Sequence, residues 1–205
     1  MNWLALDTAL GVKIILSVNG KIYKFTDDEY KMASAVLLPK IDEILASANV
    51  TLSDVDVFAT TIGPGSFTGI RIAVNTARAF AYALNKPILG IDCLTVGAYS
   101  YKGECNSVLY GWGDNYYYAT FNEKHDMTSE AQAIKEDELS TLCGVIVADK
   151  TTQEIIPSAL VYDGTEAIIK AVEDKLNKNQ AGSYDDVKPF YVMPSQAERD
   201  LINKK

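Results

Sequence analysis

The chain has 205 residues, 48% of them apolar and 22% charged, proportions that fit a packed core and exclude a largely disordered protein. With 27 acidic against 19 basic side chains the formal charge is −8, so nucleic acid or an anionic membrane would meet a repulsive field over much of the surface. Cys93, Cys105 and Cys143 are odd in number and form no CxxC pair, which points to reduced thiols and a cytoplasmic location.

No stretch approaches the ~20 apolar residues of a membrane span, and MNWLALDTAL carries no basic leader. Residues 3–7 and 12–18 are apolar runs, and Asn19-Gly20 before KIYKF is a type I′ hairpin signal, so the chain opens as a β-meander. Over 29–48, Leu37, Leu38, Ile41, Ile44, Leu45 and Ala48 recur at helical spacing. Pro39 either kinks this helix or starts its main part. TLSD at 51–54 reads as a capping-like turn, and VDVFATTI as a buried strand running into GPGSFTG at 63–69. A second helix over 67–85 carries Ile70, Ala73, Val74, Ala77, Phe80, Ala81 and Leu84 on one face. Lys86-Pro87 ends it, ILGI at 88–91 is a short strand, and 94–100 can form one more helix.

The polar turn KGECN is the expected boundary between an N-terminal lobe, 1–102, and a smaller C-terminal lobe, 103–205. In the second half VLYGW, YYYATF and GVIVA read as strands, 122–126 as a turn and 165–176 as an amphipathic helix. The proline-bracketed tail from 187 is expected to pack back before fraying. No short-period repeat is visible.

Glycines between a strand and a helix permit a tight turn and leave backbone N–H groups free for an anion, so GPGSFTG is a candidate phosphate loop. The competing reading is that Gly63, Gly65 and Gly69 merely allow close packing of strand and helix. A Walker A loop needs a Lys-Ser/Thr pair where Ile70-Arg71 stands, and the dinucleotide fingerprint needs one residue fewer before Gly69. Asp92 lies at the distance of a ribose carboxylate, but a β-meander is the wrong element before a Rossmann unit. Asp7-Thr8, ending the first strand, either orients a metal-bound phosphate or forms a turn. His125 is the only histidine and lies in a predicted turn, so a histidine-built catalytic metal centre is not expected. Ser34, Ser66 and the cysteines have no recognisable neighbouring base. Tyr116-Tyr117-Tyr118 and Phe190-Tyr191 could stack on bases but read more simply as packing, since no basic groove accompanies them. The two N-terminal helices offer more small and apolar positions than one sheet face needs, which makes them candidates for a helical bundle shared with another chain.

LALDTA, VLLPKIDEIL and IGPGSFTGIRIAVNTARAFAYALNKPILGIDCLTVGA resemble the TsaB (YeaZ) family over nearly all of residues 1–98. PFYVMPSQAE resembles that family's tyrosine-containing tail, with Val192-Met193 where an arginine usually follows the tyrosine, and Asp114-Asn115-Tyr116 replaces its Asp-Ala-Arg segment. The resemblance implies an α/β, two-lobed, actin-like fold of the acetate kinase/Hsp70/sugar kinase superfamily, each lobe ribonuclease H-like and the second reduced. It also implies a non-catalytic scaffold that binds TsaD, with the ATPase TsaE joining. The complex would support threonylcarbamoyl transfer to the adenosine next to the anticodon of ANN-decoding tRNAs.

The implied partner surface is a helical bundle of Ser34, Leu37, Leu38, Ile41, Leu45, Ile70, Ala73, Ala77, Phe80 and Leu84. A homodimer would use a related surface when TsaD is absent, and tRNA would be met only through the complex. No catalytic or metal-binding residue is expected, since TsaD holds its metal with a histidine pair that this chain lacks, and the older glycoprotease naming of the wider family implies no activity here. No cofactor is expected beyond weak or vestigial nucleotide binding at Asp7, Thr8, Gly63, Gly65, Ser66 and Gly69. The alternative is a small ATP-dependent phosphotransferase or ATPase using that loop.

Overall fold

A computed structural model describes residues 1–28 and 32–194. The expected helix start at 29–31 and the tail beyond 194 lie outside the described residues. Strands β1 (Trp3–Asp7), β2 (Val12–Val18) and β3 (Lys21–Asp27) form the opening meander. Asn19 and Gly20 take φ of 52° and 79°, the left-handed pair that a type I′ hairpin requires. Helix α1 (Ala33–Ala48) runs through Pro39, and a 3-10 turn at Leu52–Asp54 precedes β4 (Val57–Thr61). Helix α2 (Phe67–Leu84), strand β5 (Ile88–Ile91) and helix α3 (Cys93–Ala98) follow. Asn49 and Asn85 end the two long helices in left-handed conformations with φ of 56° and 52°, which turns the chain back without a glycine.

The second half contributes β6 (Cys105–Tyr110), β7 (Asn115–Phe121), β8 (Gln132–Lys135), β9 (Ile146–Ala148), α4 (Lys150–Ile155), β10 (Leu160–Val161) and α5 (Gly164–Asn177). The strands build two five-stranded sheets, ordered β3-β2-β1-β4-β5 and β10-β9-β6-β7-β8. Counted from its own first strand, each sheet has the order 3-2-1-4-5, with an antiparallel meander followed by parallel strands. The fold is the two-lobed, actin-like duplication of a ribonuclease H-like sheet. The repeat is one of topology, with shorter final strands in the second copy, so no residue pattern betrays it.

Alternation along the strands sorts the first sheet's side chains between two cores. Leu4, Leu6, Ile14 and Leu16 meet Leu37, Ile41, Ile70, Ala73 and Ala77 of α1 and α2 on one face. Trp3, Ala5, Ile15, Val57 and Ala59 meet Ala167, Ile168, Ala171 and Val172 of α5 on the other. Coverage of both faces explains why β1, β2 and β4 are buried at every position. Helix α5, late in the chain, therefore packs on the first sheet, while α3 packs on β6, β7 and β9 of the second. After α5 the chain returns to the first sheet, where Gly182 exchanges backbone hydrogen bonds with Ile88.

Helix α2 approaches β1 closely at one glycine. A Cβ on Gly69 would stand 1.8 Å from the Thr8 carbonyl oxygen, and that backbone contact has no flexible side chain to move aside. Gly69→Ala should cost about 1–3 kcal/mol, the usual toll of overpacking, whereas Gly20→Ala, in open space, strains only its own φ. Urea denaturation of the two variants checks the ranking.

Candidate functional site

Two concavities flank the start of α2. The first is a groove of about 440 Å³ lined by Ser34, Leu37 and Leu38 of α1 and by Phe67, Arg71, Ile72 and Thr76 among others of α2. Leu38 is 51% exposed, but Leu37 is 1% exposed and forms the floor. Of the other residues read as partner-binding, Ile41, Leu45, Ile70, Ala73 and Ala77 are buried in the chain's own core, and Phe80 and Leu84 are half-buried against it. Phe80 tilts against Phe58 with centroids 5.7 Å apart. The helical stripe thus points mainly inward, and the outward face is made by Ser34, Leu38, Ile72, Asn75 and Thr76. Ile72 and Asn75 fall outside a 3.6-residue core stripe, which is the signal that could have found them.

The second is the cleft between the lobes, about 1230 Å³, floored by Ala9, Lys13, Gly65 and Ser66 and walled by Tyr110, Trp112, Asp149, Tyr162, Gly164 and Tyr191. Within it Ser66 of the glycine loop bonds the protein through both its amide and its hydroxyl. Ser66 N–H donates to the Ala9 carbonyl at 2.9 Å, and Ser66 Oγ accepts from Gly69 N–H at 3.2 Å as the cap of α2. A Cβ on Gly65 would stand 2.7 Å from the Ala9 oxygen, and one on Gly63, at φ 107°, 2.6 Å from the Phe190 oxygen. Thr8 Oγ1 donates to the Gly69 carbonyl and accepts from Ala73 N–H, so this hydroxyl fastens β1 to α2. Asp7 is 3% exposed; its Oδ1 accepts from Thr61 Oγ1 at 2.6 Å and from Ala9 N–H at 2.9 Å.

The tail closes one side. Phe190 N–H donates to the Ile62 carbonyl at 2.7 Å, Tyr191 stacks on Phe67 at 4.7 Å, and Arg71 Nε donates to the Tyr191 hydroxyl at 2.9 Å. Arg71 also lies over the Phe67 ring, 4.1 Å from its centroid. Phe67 and its neighbours form a wall common to groove and cleft.

Other residues singled out from the sequence fill local roles. Asp92 caps α3, accepting from Thr95 N–H and Oγ1 at 2.7 and 2.6 Å. Tyr116 is buried in the second lobe and donates to Glu136. His125, at φ 61°, stacks on Tyr99 at 4.2 Å and meets the Tyr101 carbonyl through Nε2. Among the described residues no group of three or more His, Cys, Asp or Glu is placed to hold a metal ion, and no helix is long and apolar enough to cross a membrane.

Residues 31–131 match the family described as "TsaD: tRNA N6-adenosine threonylcarbamoyltransferase". The curated "tRNA threonylcarbamoyladenosine biosynthesis protein TsaB" of Buchnera aphidicola subsp. Schizaphis graminum is 35% identical over 94 residues, 45% of either chain. That of Haemophilus influenzae is 35% identical over 96 residues, 46% of this chain and 41% of its own. Over this matched part the chain is similar to the TsaB (YeaZ) proteins and to TsaD. It spans less than half the length of these curated TsaB relatives in the matched region. The fold is shared over a longer stretch: the crystal structure of "an uncharacterized protein with similarity to peptidase YEAZ from Pseudomonas aeruginosa" superposes with a TM-score of 0.81 at 20% identity, covering 94% of this chain and 99% of that one.

Burial pushes the carboxyls of Asp92 and Asp149 above the usual carboxylate range, against the hydrogen bonds from Thr95 and Thr152 that pull them down. An acid whose folded pKa is raised favours the fold in its protonated form. Its contribution is therefore present below about pH 4 and declines as pH rises through the raised folded value. Asp92→Asn keeps an acceptor at the cap and should remove that site's share of the decline, read as a flatter stability profile from pH 4 upward.

Proposed function

We propose that this chain is a non-catalytic scaffold subunit in tRNA threonylcarbamoyladenosine biosynthesis. It binds TsaD, with TsaE joining, and supports threonylcarbamoyl transfer to the adenosine next to the anticodon of ANN-decoding tRNAs. The supporting observation is the apolar groove between α1 and α2 with Leu38 exposed at its rim. A side chain of that size held half in solvent beside small polar neighbours suits a helix from another chain. Without TsaD, two copies of the chain pair through the same helices, and tRNA is met only through the complex, in keeping with the acidic surface. The non-catalytic role is supported by Thr8 and Asp7, which are buried beside the cleft residue Ala9 and engaged by the chain's own groups.

The second reading, an ATP-dependent phosphotransferase or ATPase, is favoured by the size of the cleft alone. Calorimetric titration with Mg-ATP and a hydrolysis assay without TsaD decide for it only if both are positive.

Mixed with its cognate TsaD, the chain should run as a heterodimer by light scattering; separate monomers at micromolar concentration would remove the proposal. Leu38→Glu should weaken the complex by at least about tenfold, the scale of a moderate interface residue, with an unchanged melting temperature. Ala77→Glu should instead destabilise the chain itself, because it buries an unpaired charge.

A further inference from the structure

Lys13 stands directly opposite Asp7 in the antiparallel β1–β2 pair, so both side chains project from one face of the sheet; Lys13 and Asp28 line the cleft, and Asp7 is buried beside them. The lysine is only 5% exposed. Its Nζ donates to the Leu10 carbonyl, lies 3.1 Å from Asp28 Oδ1 and 3.6 Å from Asp7 Oδ2. Three oxygens from three backbone positions thus surround one positive charge. Thr61 and Ala9 occupy the other oxygen of Asp7, so the free carboxylate oxygen is the one that faces the ammonium.

The surroundings are shaped to this side chain. Gly164, the first residue of α5, has a hydrogen where a Cβ would stand 2.9 Å from Lys13 Cε. The N-terminal end of α5 is the positive pole of that helix, a poor neighbour for a cation unless oxygens enclose it. Two carboxylates and a carbonyl are also a donor set that hard divalent cations take, completed by water. Such an ion and the ammonium compete for one space, and the ammonium is tethered, which gives it a high effective concentration. Expelling it would leave a buried cation without partners.

We propose that the Lys13 ammonium is the resident cation of the interlobe cleft, filling the position between Asp7 and Asp28 that a divalent ion would otherwise take and so barring divalent metal from it. The burial of the amine and the neighbouring carboxylates act in opposite directions on its proton, and the carboxylates of Asp7 and Asp28 prevail, holding it charged above the ordinary lysine range. This inference does not depend on partner docking through the groove.

Manganese titrations followed by electron paramagnetic resonance test it with three folded chains, their folding checked by circular dichroism. Lys13→Ser should bind one Mn²⁺ per chain at least about tenfold more tightly than the unaltered chain. Adding Asp7→Asn to that variant should weaken its binding by about 10–100-fold. Equal affinity of the unaltered chain and Lys13→Ser, or no gain in Lys13→Ser, overturns the proposal. Should the serine variant not fold, the Lys13 ammonium resonance of the unaltered chain, observed by ¹⁵N NMR during Mn²⁺ addition, provides the decision. Absence of saturable broadening supports a site closed by the ammonium, and saturable broadening sinks it.

Discussion

The first turn of α2 lies against the end of β1 so closely that the Thr8 carbonyl occupies the space of a Gly69 side chain. Thr8 Oγ1 bonds the Gly69 carbonyl and the Ala73 amide of the first two turns, and the Ser66 amide bonds Ala9. This single docking fixes where α2 begins, and from it follow both concavities: the groove where α2 passes α1, and the cleft floor where the glycine loop meets the β1–β2 turn. A residue larger than glycine would separate helix from strand and open both.

The loop at 63–69 therefore has a packing explanation that its composition shares with phosphate loops. Glycines serve either purpose, since both need backbone to come close to something. What differs is the thing approached: here it is Thr8, Ala9 and the Phe190 carbonyl of the tail. The tail in turn brings Tyr191 onto Phe67 and Arg71, so residues far apart in sequence form the wall between groove and cleft. In the second lobe the same strand order is built with weaker side-chain patterns, and its closing helix α5 is spent on the first sheet.

Much is legible in the sequence because the governing forces are local. Asn19-Gly20 dictates its own turn, the spacing of Leu37, Ile41 and Ile44 dictates a helix, and the apolar runs at 3–7 and 57–61 announce strands covered on both sides. The short elements β8, α4 and β10 are not legible. QAIK is mostly exposed, LV is two residues long, and KTTQEI lacks an apolar stripe, so none carries a period long enough to read.

The family resemblance, the elements of the first lobe and the lack of a histidine pair are readable from the residues alone, since these rest on residue identity and short-range spacing. Which side of α1 and α2 faces outward emerges only from folding, because a regular stripe says that a face is buried without saying whether a sheet of the same chain or another molecule covers it. So does the place of Lys13: a charged residue in an apolar strand is uninterpretable until strand pairing sets it opposite Asp7 and folding brings Asp28 and Gly164 around it.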